Sequence, residues 1–252
     1  NSGRSFGGIF DQAVITNRNL TFQYYAQFTA PTLFNDKLRT DLKLGSTVYD
    51  WNTFSAAVTG EKFMAPDLYS INNTTLTTQR GFNNLTQRRL VGAWGSFNAS
   101  YNDMLYLTLT GRNDWSSTLP VQNNSFFYPS AAMSFVFTEL EPLQGIKNVL
   151  SFGKLRGSIA QVGKDARPYS LRPFYESALT TGGGFRYGFT GPSLNLRPEM
   201  TTSYEFGTEL KFFQDRLGID ATYFKKKSVD QIVQNLRLSY ATGFILMTFN
   251  AG

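Results

Sequence analysis

The chain has 252 residues, of which 41% are hydrophobic and 15% aromatic, while only 17% are charged; a folded protein with few charges and many rings suits an oily outer face and a polar inner one. The net charge of +6 comes without a basic run of the kind that tracks phosphates, so nucleic acid is not expected as a partner. There is no Cys and no His, which removes disulfides, thiolate nucleophiles, Ser-His-Asp and Cys-His catalysis and the usual zinc sites, and leaves only a hard cation such as calcium on Asp and Asn oxygens as a conceivable, though not expected, ligand.

Period-two alternation recurs from one end of the chain to the other. Over 19–29, Leu20, Phe22, Tyr24, Ala26 and Phe28 alternate with Thr21, Gln23, Tyr25 and Gln27. Over 38–49, Leu42 and Leu44 alternate with Asp41, Lys43 and Gly45. Segment 91–101 sets Ala93, Phe97 and Ala99 against Trp94, Ser96 and Asn98, and 104–114 sets Leu105, Leu107 and Leu109 against Thr108, Thr110 and Arg112. Segment 125–137 carries Ala131, Met133, Phe135 and Phe137 on one face. Segment 154–162 opposes Leu155, Gly157 and Ile159 to Lys154, Arg156 and Ser158. Segment 200–213 opposes Tyr204, Phe206, Leu210 and Phe212 to Glu205, Glu209 and Lys211. Segment 217–224 opposes Ile219, Ala221 and Tyr223 to Asp220 and Thr222. That makes about eight strands, most near the roughly 9–11 residues that cross a bilayer when tilted.

The charges discriminate. Asp41, Lys43, Arg112, Lys154, Arg156, Glu205, Glu209, Lys211 and Asp220 all fall on the polar face of their strands. A charge facing lipid near the midplane costs about 2–4 kcal/mol, so a barrel requires this segregation. A soluble β-sandwich also alternates, and connection lengths separate the two. Short connections at 35–37, 102–103 and 214–216 alternate with long ones at 50–89, 115–124 and 164–199, and a medium one at 138–150 holds a helical turn at Glu139-Leu140-Glu141-Pro142. Outer-membrane barrels have short periplasmic turns and long external loops. The aromatics Phe28, Tyr101, Tyr106, Phe137, Phe212 and Phe213 beside the short turns fit an interfacial belt. No stretch is apolar enough for a transmembrane helix, so a membrane protein of this sequence must cross with strands. The fold expected is all-β, an antiparallel transmembrane β-barrel segment.

Several segments carry a resemblance. They are Leu107-Thr108-Leu109-Thr110-Gly111-Arg112-Asn113-Asp114-Trp115-Ser116-Ser117, then Phe127-Tyr128-Pro129-Ser130, then Lys154 to Asp165, then Leu196-Arg197-Pro198-Glu199 with Tyr204-Glu205-Phe206-Gly207, and last Phe213-Gln214-Asp215-Arg216-Leu217 followed by Tyr223-Phe224-Lys225-Lys226-Lys227. In order and spacing they resemble the SusC/RagA-like TonB-dependent outer-membrane transporters from about Leu90 onward. The resemblance implies that residues 1–252 are part of a larger barrel of the 22-stranded type. It also implies a plug domain and TonB box in the N-terminal region, a SusD-like surface lipoprotein partner, the TonB complex, a lipid bilayer and a glycan or peptide ligand, with no catalysis. The chain starts at Asn1 without an initiator Met and stops in what reads as another strand at Phe249-Asn250-Ala251-Gly252, so it is expected to be a portion of that transporter.

Ligand would be held by external loops and by lumenal side chains near their bases. Arg112, Asn113, Asp114 and Trp115, at one strand top, are the candidate substrate-binding residues, with aromatic and amide groups for sugar faces or peptide backbones. Against this stands a structural role: Asn113 and Asp114 forming Asx turns and Arg112 pairing with the plug. Gly182-Gly183-Gly184 reads as a loop tip, because no P-loop Lys-Ser/Thr follows it. A passive porin or structural barrel is the alternative function.

Overall fold

The computed structural model describes residues 7–33, 36–172, 175–177, 185–187 and 190–252. Eight strands form one sheet: β1 (Ile9–Thr29), β2 (Leu38–Glu61), β3 (Arg80–Tyr101), β4 (Leu105–Ser116), β5 (Ser125–Val136), β6 (Leu150–Lys164), β9 (Glu199–Phe212) and β10 (Leu217–Val229). Their order is β1-β2-β3-β4-β5-β6-β9-β10, and β1 and β10 each have one neighbour, so the sheet is not closed. The pairings from β3 to β10 are antiparallel. Two small hairpins accompany it: β7 (Tyr175–Ser177) with β8 (Phe185–Tyr187), and β11 (Gln231–Arg237) with β12 (Leu246–Ala251). Among the described residues no helix is long and apolar enough to cross a membrane.

The eight expected strands are the eight strands of this sheet, and from β3 to β10 the register fixes their faces. Leu107, Met133, Gly157, Phe206 and Tyr223 share one face, because each stands opposite the next across β4, β5, β6, β9 and β10. Thr108, Ala132, Ser158, Glu205 and Phe224 share the other by the same rule. The apolar face is open: Met133 is 55%, Phe206 58% and Tyr223 71% exposed. A soluble sandwich buries its apolar face against a second sheet. Here the buried hydrophobic residues among those described are only Leu119, Phe126, Val136, Ala166 and Leu196, none of them on a sheet-to-sheet interface. The sandwich reading therefore fails.

The chain divides into two compact units, Asn1–Thr21 with Tyr49–Arg89, and Phe22–Val48 with Leu90–Gly252. In the first, the expected loop over 50–89 is corrected. β2 runs on to Glu61 and β3 starts at Arg80, and β1 starts at Ile9 rather than near Asn19. Only 62–79 is connection, holding two one-turn 3-10 helices, Ile71–Asn73 and Leu76–Thr78. The buried Asn73 amide ties it together, donating to the Ala65 and Leu68 carbonyls at 2.8 and 2.7 Å and accepting from the Ala65 N–H. Polar rungs accompany the extended ladder: Thr53 donates to Asn17, Gln87 to Asn52, and Arg89 to Asp50 at 2.6 Å.

In the second unit, the turn between β3 and β4 is built on Asn102 and Asp103, both left-handed (φ 53° and 52°), a conformation these residue types accept. The medium connection holds two 3-10 helices, Phe137–Glu139 and Glu141–Ile146, as expected near Glu139. Phe137 opens the first of them instead of ending β5, and its ring lies where a side chain at Gly153 would stand. Tyr106 shares the polar face with Thr108, so it leaves the interfacial belt; its hydroxyl donates to the Asp103 carbonyl at 3.0 Å. Gly182, Gly183 and Gly184 lie outside the described residues.

Candidate functional site

The polar face of the second unit carries a chain of paired charges. Lys154 stands opposite Glu209 across β6 and β9 and its Nζ lies 3.5 Å from that carboxylate. Arg156 reaches further. It stands opposite Gly207, crosses β9 at that glycine, and donates to Asp220 at 2.6 Å and to the Thr222 hydroxyl at 2.7 Å on β10. A Cβ at position 207 would lie 2.6 Å from the Arg156 Nε, so only glycine leaves this passage. Asp41 joins the same face through Asn98, which stands opposite Thr108 and donates to the Asp41 carboxylate at 3.5 Å. All nine charges expected on polar faces belong to strands whose register or contacts set them there.

At the end of this face away from the short turns, Arg112 Nε donates to Asp114 Oδ1 at 2.8 Å, and the Tyr128 hydroxyl donates to Asp114 Oδ2 at 2.5 Å. Asp114 is 3% exposed, so its carboxylate is neutralised and spoken for. Gly92, opposite Asp114 on β3, keeps the space: an added Cβ would overlap both the Asp114 carboxylate and the Arg112 guanidinium. Beside it, the Asp165 carboxylate accepts from Ser116 at 2.5 Å and from Thr118 at 2.9 Å. A small apolar cluster of Leu119, Phe126, Ala166 and Leu196, with Tyr128 packed against it, holds the 117–124 connection and the chain at Ala166 and at Leu196 over this corner. Gln122 and Asn123 donate to the Leu194 and Leu196 carbonyls at 2.9 and 3.1 Å, and Asn250 stitches the same strap to β12 through Arg197.

The four sequence-derived candidates therefore separate. Arg112 and Asp114 share the polar face and bind each other. Asn113 and Trp115 stand on the opposite face, paired in register with Phe127 and Ser125; Asn113 donates to Ser125 at 3.0 Å and Trp115 is 42% exposed. Tyr128 and Asp165 complete the corner without having been singled out from the sequence. Alternation alone would have set Arg112 and Asp114 apart from Asn113 and Trp115. The contact with Tyr128 needed the β4–β5 register, which follows from the length of the 117–124 connection. Among the described residues no group of three or more carboxylates comes together as a metal site.

The family model for the TonB-dependent receptor-like β-barrel matches residues 1–252. The chain belongs to that family. Two receptors of the same name are 31% identical to it: TonB-dependent receptor P26 of Formosa agariphila over 195 residues, and SusC of Bacteroides thetaiotaomicron over 182 residues. These alignments take in 68% and 66% of this chain but 19% and 17% of the relatives, so the chain spans about a fifth of their length. The solved RagAB peptide transporter superposes over 96% of the chain and 27% of its own, with a TM-score of 0.84 at 17% identity, which establishes the shared fold. For a TonB-dependent receptor barrel, the exposed apolar face and the ion-paired polar face acquire a common reason: one meets hydrocarbon and the other a wet interior.

Proposed function

We propose that this chain is a portion of the barrel domain, across 1–252, of a SusC/RagA-like importer that carries a glycan or peptide across the Gram-negative outer membrane. Plug and TonB box belong to other parts of the whole protein, through which the TonB complex drives uptake, and a SusD-like lipoprotein covers the external end. The function is transport, with no catalytic step. The observation that carries this reading is the segregation of charge: ion pairs such as Lys154–Glu209 and Arg156–Asp220 on one face, and on the other the exposed apolar surface of Leu109, Met133, Phe206 and Ile219. Of the four candidate binding residues, Arg112 and Asp114 stand on the lumenal face in this reading, with Tyr128, and their neighbourhood would shape the entry to the lumen. Asn113 and Trp115 turn to the lipid side.

The test is uptake by cells that carry the full-length gene. Labelled oligosaccharides and peptides are offered with and without a working TonB complex, and the purified protein is examined for a co-purifying surface lipoprotein. TonB-dependent uptake of one ligand class is expected. Passage that persists without TonB would instead identify a passive porin.

A further inference from the structure

The apolar face changes character at one end. Along β10 it runs Leu217, Ile219, Ala221, Tyr223 and then Lys225 and Lys227, which stand opposite Tyr204 and Thr202 and so point to the same side as the hydrocarbon-facing residues. Both lysines are exposed, and no described carboxylate lies within ion-pair distance of either. Lys226, between them, points to the polar face and lies 5.6 Å from the centre of the Phe224 ring. At about 3.3 Å per residue and a tilt of about 40°, Lys225 and Lys227 lie about 20 and 25 Å above Leu217, at the upper edge of an apolar band about 25 Å tall. This is the end away from the short 213–216 turn.

A second feature adjoins them. Ala131 is small among larger neighbours, and over it the apolar face holds a hollow of about 550 Å³ lined by Leu109, Pro129, Ala131, Ile159, Gln161 and Tyr204. Ala131, Ile159, Tyr204 and Lys225 form one register row across β5, β6, β9 and β10, so Ala131 lies about 14 Å from Lys225, while Tyr204 on the rim of the hollow stands directly opposite that lysine. Gln161 and Thr202, hydrogen-bonded at 3.4 Å, bring polar groups into the next row beside Lys227. An apolar hollow that opens towards two unpaired cations at the level of the headgroups matches an amphiphile with an acyl chain and phosphates.

We propose that the outward face of β5, β6, β9 and β10 at its external end binds a phosphorylated membrane lipid, with an acyl chain in the hollow over Ala131 and lipid phosphate held by Lys225 and Lys227. The proposal rests on the membrane placement argued above.

The test uses the full-length protein purified from outer membranes in detergent, with native mass spectrometry reading retention of a bisphosphorylated lipid A. K225Q/K227Q should weaken retention about tenfold or more, since each lysine near a lipid phosphate contributes about 1 kcal/mol. Removing the phosphates from the lipid should have the same effect on the unaltered protein. K226Q, on the other face, should leave retention unchanged, and millimolar inorganic phosphate should not displace the lipid. Equal retention by K225Q/K227Q, an equal loss in K226Q, or displacement by free phosphate would overturn the site. Failure of the unaltered protein to fractionate with the outer membrane would overturn the membrane placement as well, which separates the two failures.

Discussion

Glycine acts here through what it leaves room for. At Gly207 the backbone is ordinary strand, and its role is to let the Arg156 side chain cross β9 and bond to Asp220 and Thr222 two strands away. Arg156 and Asp220 are 36% and 55% exposed as side chains, so the ion pair alone is worth no more than about 1 kcal/mol. The steric overlap is the larger effect. Gly207→Val should therefore destabilise the full-length protein by about 1–3 kcal/mol, as overpacking does. The link to Arg156 is tested by combining it with Arg156→Ala, which removes the obstructed group. If Gly207 serves this passage, the second change relieves most of the first in thermal unfolding, and strictly additive losses would refute it. Asp114 presents the opposite case, a buried carboxylate with two donors. Tyr128→Phe removes one of them and should cost about 1–3 kcal/mol, read as a lower unfolding temperature with the strands intact. An unchanged unfolding temperature would show that the hydroxyl does not matter.

Strands declare themselves by face, and β4 offers the cleanest test. Single cysteines at Leu105, Leu107 and Leu109 should react with a lipid-soluble probe, and those at Thr108 and Thr110 with a water-soluble one; the same division should hold for Phe206, Leu210 and Ile219 against Glu205, Glu209 and Asp220. Equal labelling of the two sets would sink the barrel. The same property decides what was legible in the sequence. Where one face meets hydrocarbon, residues must alternate, and all eight sheet strands announced themselves between about Leu38 and Phe224 and over 19–29. Past that band the ladder of backbone hydrogen bonds continues without the alternation. Thr53, Asn17, Asn52 and Gln87 hold β1, β2 and β3 by polar rungs, so the added lengths at 50–61 and 80–89 read as loop and 9–18 gave no strand signal. β11 was missed for the same reason, since Gln231–Arg237 belongs to a hairpin tied by Asn250 and Ser193 to the 190–197 strap. The site was half legible: Arg112 and Asp114 are at the corner, while their partner Tyr128 depends on register and Asp165 on a loop returning across many residues.

At the scale of the molecule, direction comes first. An epitope inserted near Gly183 should be reached by antibody on intact cells, because the sequence places that position in a long connection, and long connections of outer-membrane barrels are external. Staining only after the outer membrane is broken would invert the topology. Closure is the remaining question. β1 and β10 each offer one edge of N–H and C=O groups to no partner among the described residues, and in hydrocarbon each unsatisfied group costs several kcal/mol. Eight strands are enough for a small barrel, but the interior of such a barrel is just filled by side chains. Lys154, Arg156, Glu205, Glu209, Lys211 and Asp220 would then be pressed into a narrow core, where charges are expensive even when paired. Five of the six are ion-paired, and Asp220 and Lys211 are still 55% and 41% exposed as side chains, which suits a wide interior with water in it. Residues 1–252 expressed alone should therefore give no compact, heat-modifiable species on a gel, in detergent or in lipid. A stable closed barrel of eight strands would refute both the wide lumen and the importer built on it.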